Sequence, residues 1–380
     1  MTRLLLLSAL VAAPAAATAD VPRVVTDILP VHGLVSRVMD GVGTPELLLP
    51  PGASPHGYSM RPSEAGKLEQ ADVVVWIGAG LTPWLENSLD TLAGDATRVT
   101  LTEVEGTILR PFSDDHDHGA HGGEDDHDDH DDHGHDDHEG HEDHGHDDHG
   151  EADHDDHAHD DHEDHDEEHA HDEHEEHGEE HAHDDHAEHG DDHEEEGHFV
   201  GDGHDHGADD VDPHAWLDPV NGALWLATLA ETLATADPEN AELYRANAVA
   251  GQAEIAAVST EVETRLASVG DAAYLVFHDA YGYFEDRFDI ASSGAIRLGD
   301  ATTPGAARIA ELQDRIADDG IACLFTEPQF PAGLAETVVE GSGATLATID
   351  PLGTNLTQGS GFYPDLISAL ANDMAGCLSR

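Results

Sequence analysis

Positive charge is almost missing from this chain: 14 Lys and Arg stand against 83 Asp and Glu in 380 residues, a formal net charge of −69. A surface so poor in cations repels nucleic acid and anionic lipid alike, which excludes both and points to a cationic partner. Long apolar runs are missing too. The one stretch of note is LLLLSALVAAPAAATA after Arg3, too short to span a bilayer and closing on Ala17-Thr18-Ala19. It has the form of a secretory signal peptide over residues 1–19, cleaved near Ala19, with the mature, soluble chain starting near Asp20 in the periplasm. No cysteine stands at that boundary to carry a lipid. Cysteine is scarce throughout, with Cys323 and Cys377 alone. In an oxidising compartment they suggest one disulfide closing a loop of about 54 residues, worth roughly 3 to 4 kcal/mol by chain entropy, two buried thiols being the alternative. Catalytic motifs are absent as well. Neither His-Glu-x-x-His nor Gly-x-Ser-x-Gly occurs, so a secreted zinc hydrolase would lack its usual base or nucleophile and an enzyme is not expected.

What the chain has in excess is histidine among acids. Between Ser113 and Asp210 stand 29 His and 46 Asp plus Glu, with no Lys or Arg, so this tract carries −46 of the −69. With hardly an apolar residue it cannot offset the entropy lost on folding, and composition predicts disorder. Imidazole and carboxylate are donors that borderline divalent metals prefer, and spacings such as His-Asp-His and His-Asp-Asp-His bring several to one ion. The tract reads as a weak, multi-ion zinc collector, with a solvated acidic spacer as the plain alternative.

On either side of the tract, short β-rich runs alternate with helical ones, predicting α/β lobes with parallel-rich sheets flanked by helices. Residues 20–112 and 211–237 make up an N-terminal lobe, with strands over 24–29, 46–49, 72–77 and 98–101 and helices over 31–40, 61–70, 83–92 and 219–236. Residues 238–269 predict one long linking helix, roughly 45 Å if unbroken, with Asp237 as N-cap and Pro238 at its first position. Residues 270–380 form a similar C-terminal lobe, with strands over 274–277, 290–296, 321–325 and 345–349 and helices over 281–288, 304–318, 331–340 and 363–377. Ligands of such sheets sit at the carboxyl ends of strands, here facing a cleft between the lobes.

Outside the tract there are four histidines. His56 lies in a Pro/Gly-rich loop leaving a strand, His214 where the tract rejoins the fold and His278 directly after YLVF. Asp350 follows ATLATI. Singly, a loop His is a surface or hydrogen-bonding residue, and an Asp before Pro a turn residue. Jointly, three imidazoles and a carboxylate at strand exits of two lobes suit Zn²⁺. His32, on a helix, falls outside the set and reads as structural.

The phrases GASPHGYSMRPSEAGKLEQADVVVWIG, DPHAWLDP, FHDAYGYFEDRF, LFTEPQF and IDPLG resemble those of the periplasmic zinc-binding components of ABC-type zinc importers, the ZnuA-like solute-binding proteins. The resemblance covers the mature chain apart from the acidic tract. It implies two α/β lobes bridged by a long helix, with zinc held between them and delivered to an inner-membrane ABC permease. Its metal-binding positions fall on His56, His214 and His278, with Asp350 at the place of a fourth ligand. An imidazole at 278, where manganese-binding relatives have an acid, favours zinc. A disulfide between Cys323 and Cys377 fits the resemblance, and Glu327 and Tyr281 are candidates to orient ligand rings. A monomer is expected, with a separate periplasmic zinc chaperone as a further candidate partner. A metal buffer or adhesin working without a transporter is the competing reading.

Overall fold

The computed structural model describes residues 21–111, 211–270, 272–297 and 304–379. The expected signal peptide and the acidic tract over 113–210 lie outside the described residues. Two four-stranded sheets form the frame, and every pairing between their strands is parallel. The first contains β1 (Val24–Thr26), β2 (Glu46–Leu47), β3 (Val73–Trp76) and β4 (Thr97–Thr100) in the order β2-β1-β3-β4. The second contains β5 (Tyr274–His278), β6 (Ala295–Arg297), β7 (Cys323–Thr326) and β8 (Thr345–Thr348) in the order β6-β5-β7-β8. The same winding is thus used twice. In each sheet the strand order reverses between the first and third strands, the position where open α/β sheets bind ligands.

Both faces of each sheet are covered, which is why DVVVWI carries no polar alternation. Val73 and Val75 join the central core, while Val74 and Trp76 face an outer cluster with Leu85 and Leu89 of α3 (Pro83–Leu92). Tyr274 and Val276 point inward in the same way, with Leu275 and Phe277 turned outward against Leu312 and Ile316 of α7 (Ala306–Asp318). Adjacent strand residues alternate faces, so four-residue strands suffice to bind two layers.

The inner layer is built from α1 (Leu29–Val38), α4 (Pro219–Ala236), α5 (Ala241–Leu266) and α9 (Phe362–Leu378), packed on one another. Their apolar faces merge with those of both sheets into one buried cluster that includes Trp225, Tyr244, Ile255, Phe362 and Leu370. Backbones approach closely there: a Cβ at Gly222 of α4 would lie 2.5 Å from the Tyr363 hydroxyl, and one at Gly33 of α1 2.8 Å from Phe362 Cδ1. The two lobes consequently share a core. Cys323 of β7 and Cys377 of α9 form a disulfide with Cα atoms 6.3 Å apart, fastening this inner layer to the second sheet. Among the described residues no helix is long and apolar enough to cross a membrane.

Several elements depart from the sequence expectation, among them β1, which ends at Thr26 rather than at residue 29. The long helix starts at Ala241, not Pro238, because Asp237 closes α4 and turns its buried carboxylate to Asn240 (2.7 Å) and Tyr244 (2.9 Å). Its 26 residues span about 39 Å. Strand β6 is confined to 295–297, because Asp289 takes a left-handed φ of 53° that ends α6 (Gly282–Phe288) and sends the chain back over Glu285 and Tyr274 before pairing begins. Helix α1 begins at Leu29, two residues early, since Pro30 is preorganised for a first helical turn.

Candidate metal centre

His56 is delivered by the loop that leaves β2. The loop is held by Trp84 of α3, whose indole Nε1 donates to Pro55 O at 2.6 Å, and by Tyr58, whose hydroxyl donates to Glu64 of α2 (Pro62–Leu68) at 2.8 Å. His214 lies just before a short 3-10 turn, Ala215–Leu217, at the entry to α4. Trp216 in that turn donates to Pro351 O of the other lobe at 2.9 Å. His278 is the last residue of β5. The register pairs Val276 with Phe325, so two residues further on His278 faces Glu327 at the end of β7, at the reversal point of the second sheet.

These three imidazoles converge. One nitrogen from each of His56, His214 and His278 lies within 4.8 Å of the other two, His214 and His278 being buried and His56 half-buried. The His214 and His278 Nε2 atoms are 3.4 Å apart. Two nitrogens bound to one tetrahedral zinc at about 2.05 Å each stand about 3.3 Å apart, so the pair already has the spacing of a shared ion. The space between the rings and Phe330 is a cavity of about 20 Å³, room for one ion or one water.

Electrostatics favour a cation there. The His214 Nδ1 sits 2.7 Å from Asp212 Oδ1, and His278 Nδ1 sits 2.6 Å from Glu327 Oε1. Donating Nδ1–H to those carboxylates leaves both Nε2 atoms presenting lone pairs to each other, an arrangement that a metal cation between them satisfies. Burial pushes the Asp212 carboxyl up to about 7, against the opposing pull of the His214 backbone N–H and of Arg110.

Asp350 stands outside this group of three. Its Oδ1 accepts from Gln329 Nε2 (2.8 Å) and Leu352 N (3.1 Å), and its Oδ2 from Thr354 N (2.6 Å), the pattern of a carboxylate that closes a turn. Glu327 is in place against His278. The Tyr281 ring lies 6.4 Å from that of His278, and burial, then the Glu327 and Asp350 carboxylates, hold its phenol well above the usual tyrosine range. His32 is set among Pro45 O (3.2 Å) and Ser36 Oγ (3.4 Å), apart from the three. Asp212, bonded to the His214 ring, is the residue that sequence reasoning missed; an Asp two residues before a candidate ligand His, in VDPH, was the available signal.

Twin parallel lobes fused through a common helical core, with imidazoles gathered between strand ends, define a metal-binding solute-binding protein. Residues 24–377 match the model of the family described as zinc-uptake complex component A, periplasmic, and the chain belongs to that family. It is 40% identical over 376 residues to the high-affinity zinc uptake system protein ZnuA of Paracoccus denitrificans (strain Pd 1222), covering 99% of this chain and 97% of that one. The protein of the same name from Brucella suis biovar 1 (strain 1330) is 39% identical over 357 residues, 94% and 92% of the two chains. The fold is that of a crystal structure of a ZnuA 138–173 deletion mutant with zinc bound, at a TM-score of 0.62 and 17% identity, covering 95% of this chain and 99% of that one. Membership makes the chain a component of zinc uptake rather than an enzyme.

Proposed function

We propose that this protein captures one Zn²⁺ between its lobes through His56, His214 and His278 and hands it to an inner-membrane ABC permease. The observation that carries the reading is the convergence of three imidazole nitrogens within 4.8 Å. Imidazole donors in that number suit zinc, whereas manganese prefers oxygen. Three rings leave one corner of a tetrahedron, for which Asp350 and a water compete; Asp350→Ala with undiminished tight binding assigns the corner to water. The tract over 113–210 serves as a second, weaker store whose negative charge raises the local zinc concentration and whose attachment beside His214 keeps captured ions near the site. Export with removal of residues 1–19, a monomeric state and hand-over from a separate periplasmic zinc chaperone complete the reading.

Metal titration with elemental analysis, on the full chain and on a version lacking residues 113–210, tests it. One zinc resistant to chelator is expected in both, with the additional ions lost in the deletion, and His56→Ala abolishes the resistant one. Retention of that ion in His56→Ala overturns the assignment.

A further inference from the structure

The chain leaves the first lobe toward the acidic tract and returns from it through a narrow neck. Pro111 and Val211 form an isolated antiparallel bridge, and Asp212 N donates to Arg110 O at 3.0 Å. This neck is bound on its other side to α6 of the second lobe. The Tyr283 hydroxyl lies 3.0 Å from Arg110 N, which donates to it, and itself donates to Asp212 O at 2.8 Å. One buried phenol thus bridges both neck strands.

The Arg110 side chain closes the same contact. Its guanidinium lies 5.9 Å over the Tyr283 ring and 3.5 Å from Asp286. It sits so tightly on Gly282 that an added Cβ would fall 1.1 Å from Nη1. Only a glycine at the first position of α6 admits it.

Asp212 is therefore fixed at three points: its N–H by Arg110 O, its carbonyl by Tyr283, and its carboxylate against His214, with the His214 backbone N–H donating to the same Oδ1 at 2.9 Å. With its backbone held, the His214 backbone N–H and Nδ1 contacts keep the carboxylate turned to the His214 ring. We propose that Arg110 and Tyr283 are positioning residues for zinc binding, a clasp by which the second lobe sets the ring orientation of His214, a ligand carried by the first. The proposal rests on the three-histidine reading above. A carboxylate bonded directly to a ligand ring, as Asp212 is to His214, typically changes metal affinity by about 10- to 100-fold when removed. The clasp acts one step further out, and a loss of about tenfold is expected.

The test uses the full chain and measures three quantities: zinc affinity by competition with a chelator strong enough to leave only the tight site occupied, the thermal midpoint of the zinc-free protein, and the ligand-field absorption of the complex with one equivalent of Co²⁺. Tyr283→Phe, Arg110→Ala and Gly282→Ala are each expected to weaken zinc about tenfold and to alter the Co²⁺ spectrum, the last because its methyl displaces the guanidinium. Asp286→Ala is expected to match the wild type, since its carboxylate is 72% exposed and the pair is worth little. Wild-type affinity and spectrum in Tyr283→Phe and Gly282→Ala overturn the proposal. So does a fall in the zinc-free midpoint with the zinc-induced rise unchanged, or an equal loss of affinity in Asp286→Ala. His56→Ala run alongside separates the two readings: if it keeps tight zinc, the three-histidine site itself is wrong, whereas its loss beside unchanged clasp variants removes the clasp alone.

Discussion

Replacing Glu327 by Gln is expected to weaken zinc binding about tenfold while leaving the zinc-free fold nearly intact. The His278 Nδ1 to Glu327 Oε1 contact is 2.6 Å, with side chains 6% and 1% exposed. A hydrogen bond to an ionised partner contributes about 1.5 to 3 kcal/mol and a neutral one about 0.5 to 1.5. Exchanging carboxylate for amide at constant shape therefore removes about 1 to 1.5 kcal/mol, close to a factor of ten. Glu327→Ala goes further, because it leaves a buried ring nitrogen without that acceptor, and about 100-fold is expected. The carboxylate's charge also favours the metal-bound state over the empty one, since it faces a dication only when zinc is present. Chelator competition at neutral pH reads the affinity, and urea unfolding of the zinc-free protein reads the fold. Wild-type affinity in both variants would refute the claim that Glu327 supports His278 as a ligand.

The remaining expectations concern the scaffold. Cys323→Ser with Cys377→Ser should lower zinc-free stability by about 3 to 4 kcal/mol, seen in urea unfolding, while one tight zinc is retained because Cys323 pairs with Tyr274, at the other end of β5 from His278. Burial pushes the Asp27 carboxyl from 3.8 to about 7. The folded state then binds that proton more tightly than the unfolded one, so this contribution is complete below about pH 4 and lost as pH rises through about 7, roughly 4 kcal/mol in all. Asp27→Asn should flatten the pH dependence of zinc-free stability by that share, contributions of the same sign remaining from Asp212, Glu285 and Asp373; an unchanged slope contradicts it. Gly222→Ala should cost about 1 to 3 kcal/mol by thermal unfolding, its methyl meeting the Tyr363 ring in the core the lobes share.

Proline and strand-end chemistry made much of this molecule legible in the sequence. Pro83 and Pro219 mark the observed first residues of α3 and α4. His56, His214 and His278 stand where strands or neck segments end, and the parallel sheets put such ends together, which is why a reading of strand ends singles them out and why their nitrogens converge. What escaped depends on which distant segments become neighbours. Asp212 matters because Tyr283, 71 residues away, takes its carbonyl. Trp84 matters because it reaches Pro55, 29 residues back. Asp350 stands at a strand end as required, yet Gln329, Leu352 and Thr354 claim its oxygens, a competition no motif displays. The over-long sixth strand has a similar origin: of residues 290–294 only Ile290 favours a strand by type, and the left-handed turn at Asp289 carries the stretch back over Glu285 before pairing begins.

The neck has a further consequence, for how such a protein can change over generations. Because Pro111 and Val211 meet in one bridge, a segment of the composition read above, which predicts no fold of its own, would make its length felt at the bridge mainly through the entropy of closing the loop. That cost grows with the logarithm of length, about 0.6 kcal/mol for each doubling. Insertions and deletions of whole histidine clusters are then nearly neutral for the scaffold and leave the three-imidazole site untouched. If the tract serves as the proposed store, capacity and affinity become separate heritable traits, and a lineage facing scarce metal can enlarge the first without re-evolving the second.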